Sequence, residues 1–264
     1  MFQYEFMRQA FVASTFIAIT CGVVGVFVVA RNMSFLSHTL SEIGFAGAAF
    51  GVLVGIAPLT GMILFTLVSS ILVGSMSSQK ERSEASTSAI SSLFIGAGIL
   101  FLALSAKTSS YATNILFGSI VGISKENLLE LIILAAVVLI TVMLFFKKLT
   151  FDSFDSIGAK AAGLPTIFLS VIFLITVALS VSIGAQVVGS LLVFVLLTLP
   201  GATAKFFART IPGLFAVSIG LALAGVWLGL VLGYYTNLPV TFFISIFEVL
   251  SYFIGLLINR IKTK

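Results

Sequence analysis

His38 and Glu42 are the residues of this sequence best equipped for chemistry. His38 is the only histidine, and Glu42 follows four positions later in the run RNMSFLSHTLSEIGFAGAAFGVLVG, residues 31–55. On a helix, positions i and i+4 share a face, so an imidazole and a carboxylate would project side by side. Such donors are borderline to hard. They suit manganese, iron or zinc and lack the soft sulfur that copper(I) prefers. Two ligands alone make a weak site. If two copies of the chain faced each other, two such pairs could converge. A plainer reading is equally open on the residues alone: His38 and Glu42 bond each other and cap one end of their helix.

The elements that must position this pair are membrane helices. The chain is 59% hydrophobic and only 9% charged, with a mean hydropathy of +1.24, against about a quarter charged in soluble proteins. Apolar runs reach the roughly 20 residues that cross a bilayer. Spans are expected at about 11–30, 36–57, 59–76, 88–105, 128–146, 166–183, 187–204, 213–233 and 239–258. Pro200 predicts a kink or an early end in the seventh. Glu5 and Arg8 are a weak n-region before a run too long for a removable signal, so the first run is expected to remain as a span. The stretch 115–123, ILFGSIVGI, is too short to cross and predicts a re-entrant or interfacial half-helix. Residues 77–86, SSQKERSEAS, read as a loop.

The fold class expected is therefore an all-α integral membrane protein. It is a polytopic bundle of eight or nine transmembrane helices, and residues 1–264 form a single transmembrane domain. Lysine and arginine set its orientation. With nine crossings and a cytoplasmic C-terminus, Arg31, Lys80, Arg82, Lys147, Lys148, Lys160, Lys205, Arg209, Arg260, Lys262 and Lys264 lie inside. Arg8, Lys107 and Lys125 lie outside. The net charge of +5 comes from these span ends, not from a basic stripe with aromatics between, so nucleic acid is not an expected partner.

Other residues carry weaker signals. Gly47, Gly51 and Gly55 repeat every fourth position, as do Gly225, Gly229 and Gly233; both sets read as faces for close helix packing. Asp155, Ala159 and Gly163 share that spacing in the polar segment 151–165, which is either a connecting loop or a short surface helix that docks into a partner. Glu248 lies inside the last span. A carboxylate there is costly unless neutralised or paired. It reads first as a structural hydrogen bonder and second as part of a transport pathway. Glu126 and Glu130 read as a solvated face, and Cys21 as a small packing residue.

Several short motifs, in this order, resemble those of the ABC-3 family of membrane permeases, the bacterial importers of manganese, zinc and iron. Arg31, Met33 and Ser34 end the first span as in that family. Its motif D-A-x-S-H-x-x-x-P-G aligns with His38, Thr39, Leu40, Ser41, Glu42, Ala46 and Gly47. Its re-entrant I-L-F-G is present as residues 115–118. Its inner-loop D-P-x-x-A-x-x-x-G is matched by Asp155, Ser156, Ala159 and Gly163. Its late Q-x-V-G-x-x-L and P-A-A-T-A are matched by Gln186, Val188, Gly189, Leu192, Pro200, Gly201, Ala202, Thr203 and Ala204. The sequence departs from the family at the two ligand positions, where histidine then glutamate stand for aspartate then histidine. Ala46 replaces the family's proline.

The resemblance implies a permease that carries a divalent metal ion inward by alternating access, with His38 and Glu42 as transit ligands. It implies no permanently bound cofactor. It implies a second copy of the permease, cytoplasmic ABC ATPase subunits and an extracellular metal-binding protein as partners. The coupling segment is 151–165, with Asp155, Ala159 and Gly163 setting its shape, and the location is the bacterial cell membrane with a cytoplasmic C-terminus. The chain itself has no G-x-x-x-x-G-K-[ST] loop and is expected to be a transport subunit, not an enzyme. A permease for a metal chelate or other small cargo, and a proton-coupled secondary transporter using Glu248 with His38, are the alternatives.

Overall fold

The computed structural model describes residues 3–75, 84–105, 125–190 and 192–262, with Leu116 and Gly118 between. The half-helix expected at 115–123 falls, apart from those two residues, outside the described residues, as do Lys80, Arg82, Lys107 and Lys264. Among the described residues the chain is all helical. The helices are α1 (Glu5–Ala30), α2 (Ser34–Val54), α3 (Pro58–Ser75), α4 (Glu84–Leu104), α5 (Lys125–Phe154), α6 (Ser156–Ala161), α7 (Thr166–Val188), α8 (Val193–Phe207), α9 (Ile211–Thr236) and α10 (Val240–Lys262). Five of them, α1, α5, α7, α9 and α10, are long and apolar enough to cross a membrane.

Two boundaries differ from expectation. The fifth span is expected to be stopped at 146 by Lys147 and Lys148, but they do not end α5, which runs on to Phe154. Lysine is a good helix former, and both side chains lie exposed on the helix surface, where the ammonium groups reach outward while the backbone continues. Gln186 and Val188 belong to α7, and the chain turns at Gly189 (φ 86°) before α8 starts at Val193. Pro200 sits inside α8, which continues to Phe207, so it is not an early end.

α1 is the hub. It packs against α5, α7, α8 and α9, while α2 packs against α3, α4, α7 and α8, and α10 closes against α8 and α9. Small residues make these approaches close. A Cβ on Gly201 would lie 2.8 Å from the Gly25 carbonyl oxygen, and one on Gly22 would lie 2.8 Å from the Ile219 Cα. Ser218 adds a hydroxyl bond to the Gly22 carbonyl at 2.8 Å. With lipid as solvent, apolar burial gives little drive to helix association, so contact packing and such hydroxyl bonds take over.

Candidate functional site

The site begins with how α1 ends. Asn32 adopts a left-handed conformation (φ 55°), the Met33 N–H donates to the Val28 carbonyl at 2.9 Å, and the Asn32 N–H to that of Val29 at 3.3 Å. This is the Schellman geometry, with asparagine in the place usually held by glycine. It reverses the chain within three residues and starts α2 at Ser34.

His38 and Glu42 lie in the first three turns of α2, with Nδ1 to Oε2 at 3.5 Å. That contact makes no hydrogen bond. The Glu42 Oε2 is buried and accepts no hydrogen bond among the described residues. The His38 ring is held by aromatics: Phe194 of α8 meets it edge-on at 4.6 Å between centroids, and Phe35 lies nearly parallel to it at 6.4 Å. The pair does not cap the helix, whose N-cap is Met33 without a side-chain bond. Among the described residues, no third histidine, cysteine, aspartate or glutamate joins them in a metal-holding group. Beside Glu42, the Ser41 hydroxyl donates to the Ser190 carbonyl in the turn between α7 and α8. This places irregular backbone, buried by protein, directly against α2.

The segment read as 151–165 contains a single short helix, α6. Asp155 caps its start, with Oδ1 accepting from the Gly158 N–H at 2.8 Å. Ala159 is its buried residue. Gly163 (φ 75°) ends it, with the Leu164 N–H bonded to the Ala159 carbonyl at 3.1 Å. The three residues therefore mark the start, the packed face and the stop of α6; they do not form one helical stripe. Ile157 is 81% exposed, with Phe154 and Phe151 also exposed beside it.

Glu248 of α10 is fully buried, and neither carboxyl oxygen has a hydrogen-bond partner among the described residues. The expected structural hydrogen bond is therefore not observed. Its Oε1 lies where Gly225 of α9 has no side chain. Gly229 and Gly233 likewise face α10, at Ile244 and Val240, and Gly47 faces Gly61 of α3. Gly51 is close to the Ala57 carbonyl, where a Cβ would sit at 3.1 Å. Gly55 departs from the packing expectation. It ends α2 in the left-handed conformation (φ 84°) with open space around it, so its role is the helix stop. Glu126 and Glu130 are exposed on α5 and Cys21 is buried in α1.

Residues 3–259 match the ABC 3 transport family. The chain belongs to that family. As a member of a transport family built of apolar helices, it is a multi-pass membrane transport component, not an enzyme. It is 30% identical to an uncharacterized membrane protein of Synechocystis sp. over 98% of this chain and 92% of that one. It is 28% identical to the manganese import system permease protein ScaB of Streptococcus parasanguinis over 96% and 92%. The fold matches a chain of PsaBC from Streptococcus pneumoniae, solved in complex with a Fab, with a TM-score of 0.83, 27% identity and coverage of 96% and 91%.

One cluster in this ABC 3 chain is missing from the sequence reading. In the sequence Arg31 reads only as a basic span end on the inner side and as the first residue of the Arg31, Met33, Ser34 motif. Its Nη2 pairs with the Asp152 Oδ2 at 2.7 Å, its Nε donates to the Ser153 Oγ at 2.8 Å, and its Nη1 to the Ser170 Oγ at 3.5 Å. The guanidinium also lies 4.6 Å from the centre of the Phe173 ring. Both charged side chains are buried, at 7% and 5% exposure. The available signal was that the lysine and arginine count puts Arg31 and the segment bearing Asp152 on the same side.

Proposed function

We propose that this chain is the membrane-spanning permease of an ATP-binding-cassette importer, and that it carries a divalent transition metal ion, manganese foremost, into a bacterial cell. The single observation that carries this reading is the His38–Glu42 pair. An imidazole and a buried carboxylate oxygen face each other on one helix face, with no hydrogen bond to that oxygen among the described residues, in a chain of the ABC 3 transport family. The manganese import permeases among its relatives support the choice of cargo.

In this reading nine of the described helices, all but α6, cross the membrane as parts of one transmembrane domain, with the C-terminus in the cytoplasm. Two copies of the permease bring two His38–Glu42 pairs together, giving four donors. Nitrogen and oxygen ligands accept manganese, iron or zinc, and selection among them rests on geometry. A weak, shared site releases the ion when the copies rearrange. Energy comes from a separate cytoplasmic ATPase. The α6 helix, with Ile157 projecting and its ends set by Asp155 and Gly163, is the element that ATPase grips. An extracellular metal-binding protein delivers the ion to the opposite face. Glu248, fully buried beside Gly225, serves packing between α9 and α10 and is not on the route.

The test is elemental analysis of cells lacking their own importers and expressing the permease with its partners, intact or with H38A or E42A. A rise in manganese with the intact protein that is lost in either variant supports the reading. Accumulation that survives both changes rejects the pair as transit ligands, and a rise in no metal rejects the cargo.

A further inference from the structure

We propose that Arg31 is a positioning residue that locks α6 to the helix carrying His38, so that movement of α6 is delivered to α2. The inference rests on the importer reading above. Its structural basis is the path of contacts. Asp152 and Ser153 are in the last turn of α5, directly before Asp155, which caps α6. Ser170 and Phe173 lie in the first turns of α7, directly after the stop at Gly163. Arg31 bonds or stacks on all four, from both helices that flank α6. It is also the C-cap of α1, two residues before the Met33 N-cap of α2. His38 follows seven residues after Arg31 on the same continuous stretch of chain.

The form of the cluster favours transmission over simple anchorage. A guanidinium offers a rigid planar fork of donors, so three oxygens bound to it keep fixed mutual directions, which a flexible ammonium would not enforce. The pair is buried, so solvent does not screen it and one partner without the other is strongly disfavoured. Between Arg31 and α2 there is no flexible linker. Asn32 and Met33 are tied back to α1 by the two Schellman hydrogen bonds. A tilt of the α5–α6–α7 corner therefore turns the end of α1 and the start of α2 with it.

The test reconstitutes the complex in liposomes and measures manganese taken up and ATP hydrolysed in the same vesicles. R31Q and D152N are expected to lower manganese moved per ATP by about tenfold, with hydrolysis continuing and R31K intermediate. Unchanged manganese per ATP in R31Q and D152N overturns the inference. So does joint loss of hydrolysis and uptake with R31K no better than R31Q, because Arg31 is then only a structural peg. A second readout needs no cargo. Spin labels at Val54 on α2 and Lys160 on α6, both exposed, are expected to keep one narrow separation through the nucleotide cycle in the native cluster and a broadened one in R31Q. An equally narrow distribution in R31Q overturns the inference. Absence of manganese uptake by the native complex, with the label result intact, counts against the importer reading alone.

Discussion

The carboxyl oxygen Oε1 of Glu248 would lie 2.6 Å from a Cβ placed on Gly225, so α9 admits this buried side chain only because position 225 has none. Gly225→Ala is expected to destabilise the fold by about 1–3 kcal/mol through overpacking, read as a lowered melting temperature in detergent. Gly220→Ala on the same helix, where a Cβ meets nothing within 4 Å, should hold the melting temperature or raise it slightly, because alanine is the better helix former. Glu248→Gln keeps the shape without an ionisable group and should match or exceed the native stability.

Two glycines of α2 that look alike in sequence should respond differently. A Cβ on Gly47 would run into the Gly61 carbonyl and come within 2.8 Å of the Phe65 Cβ, so Gly47→Ala must push α2 and α3 apart. Gly55→Ala meets no neighbour and incurs only the left-handed backbone strain, about 1 kcal/mol. Transport and thermal stability should both fall for the first, and stability alone, slightly, for the second.

If His38 and Glu42 hold one ion together, their substitutions should not add. The double variant H38A/E42A is expected to accumulate manganese no worse than the poorer single variant, corresponding to a coupling of about 0.5–3 kcal/mol. Strictly additive losses would mean that the two side chains act separately.

Asp155→Ala removes the cap of α6 and should cost about 1 kcal/mol locally, seen as faster amide exchange at Gly158 and Ala159. Asp155→Ser supplies an alternative oxygen and should restore most of the protection. If α6 is the ATPase grip, manganese uptake will track this protection across the two variants.

The helical class and the order of the helices were legible because long apolar runs have few other ways to satisfy their backbone. The pairing of His38 with Glu42 was legible from a local spacing of four. What sequence did not reveal is long-range. Arg31 and Asp152 are 121 positions apart, and nothing local in either span end marks them as partners. The Ser41 bond to Ser190 is equally remote. The glycine triplets were half legible. Gly225, Gly229 and Gly233 do face one helix, whereas Gly55 and Gly163 owe their place to a backbone conformation that four-residue spacing cannot distinguish from a packing stripe. The lysines at 147 and 148 misled for a physical reason: a charged side chain ends an apolar run without ending a helix.

Gly25 on α1 and Gly201 on α8 meet backbone against backbone, and each would be blocked by a single added carbon. A seam of this kind has no rotamers to rearrange. Helices separated by side chains can slip by repacking them, but these two can only stay in register or part altogether. Lys205 also reaches the Val29 carbonyl farther along the same two helices, at 3.4 Å. α1 and α8 therefore behave as a single beam. The hydroxyl-lined contacts differ in kind: the Ser41 bond to the Ser190 carbonyl, between α2 and the α7–α8 turn, and the 3.1 Å Thr66–Ser182 bond, between α3 and α7, can exchange partners without parting the helices.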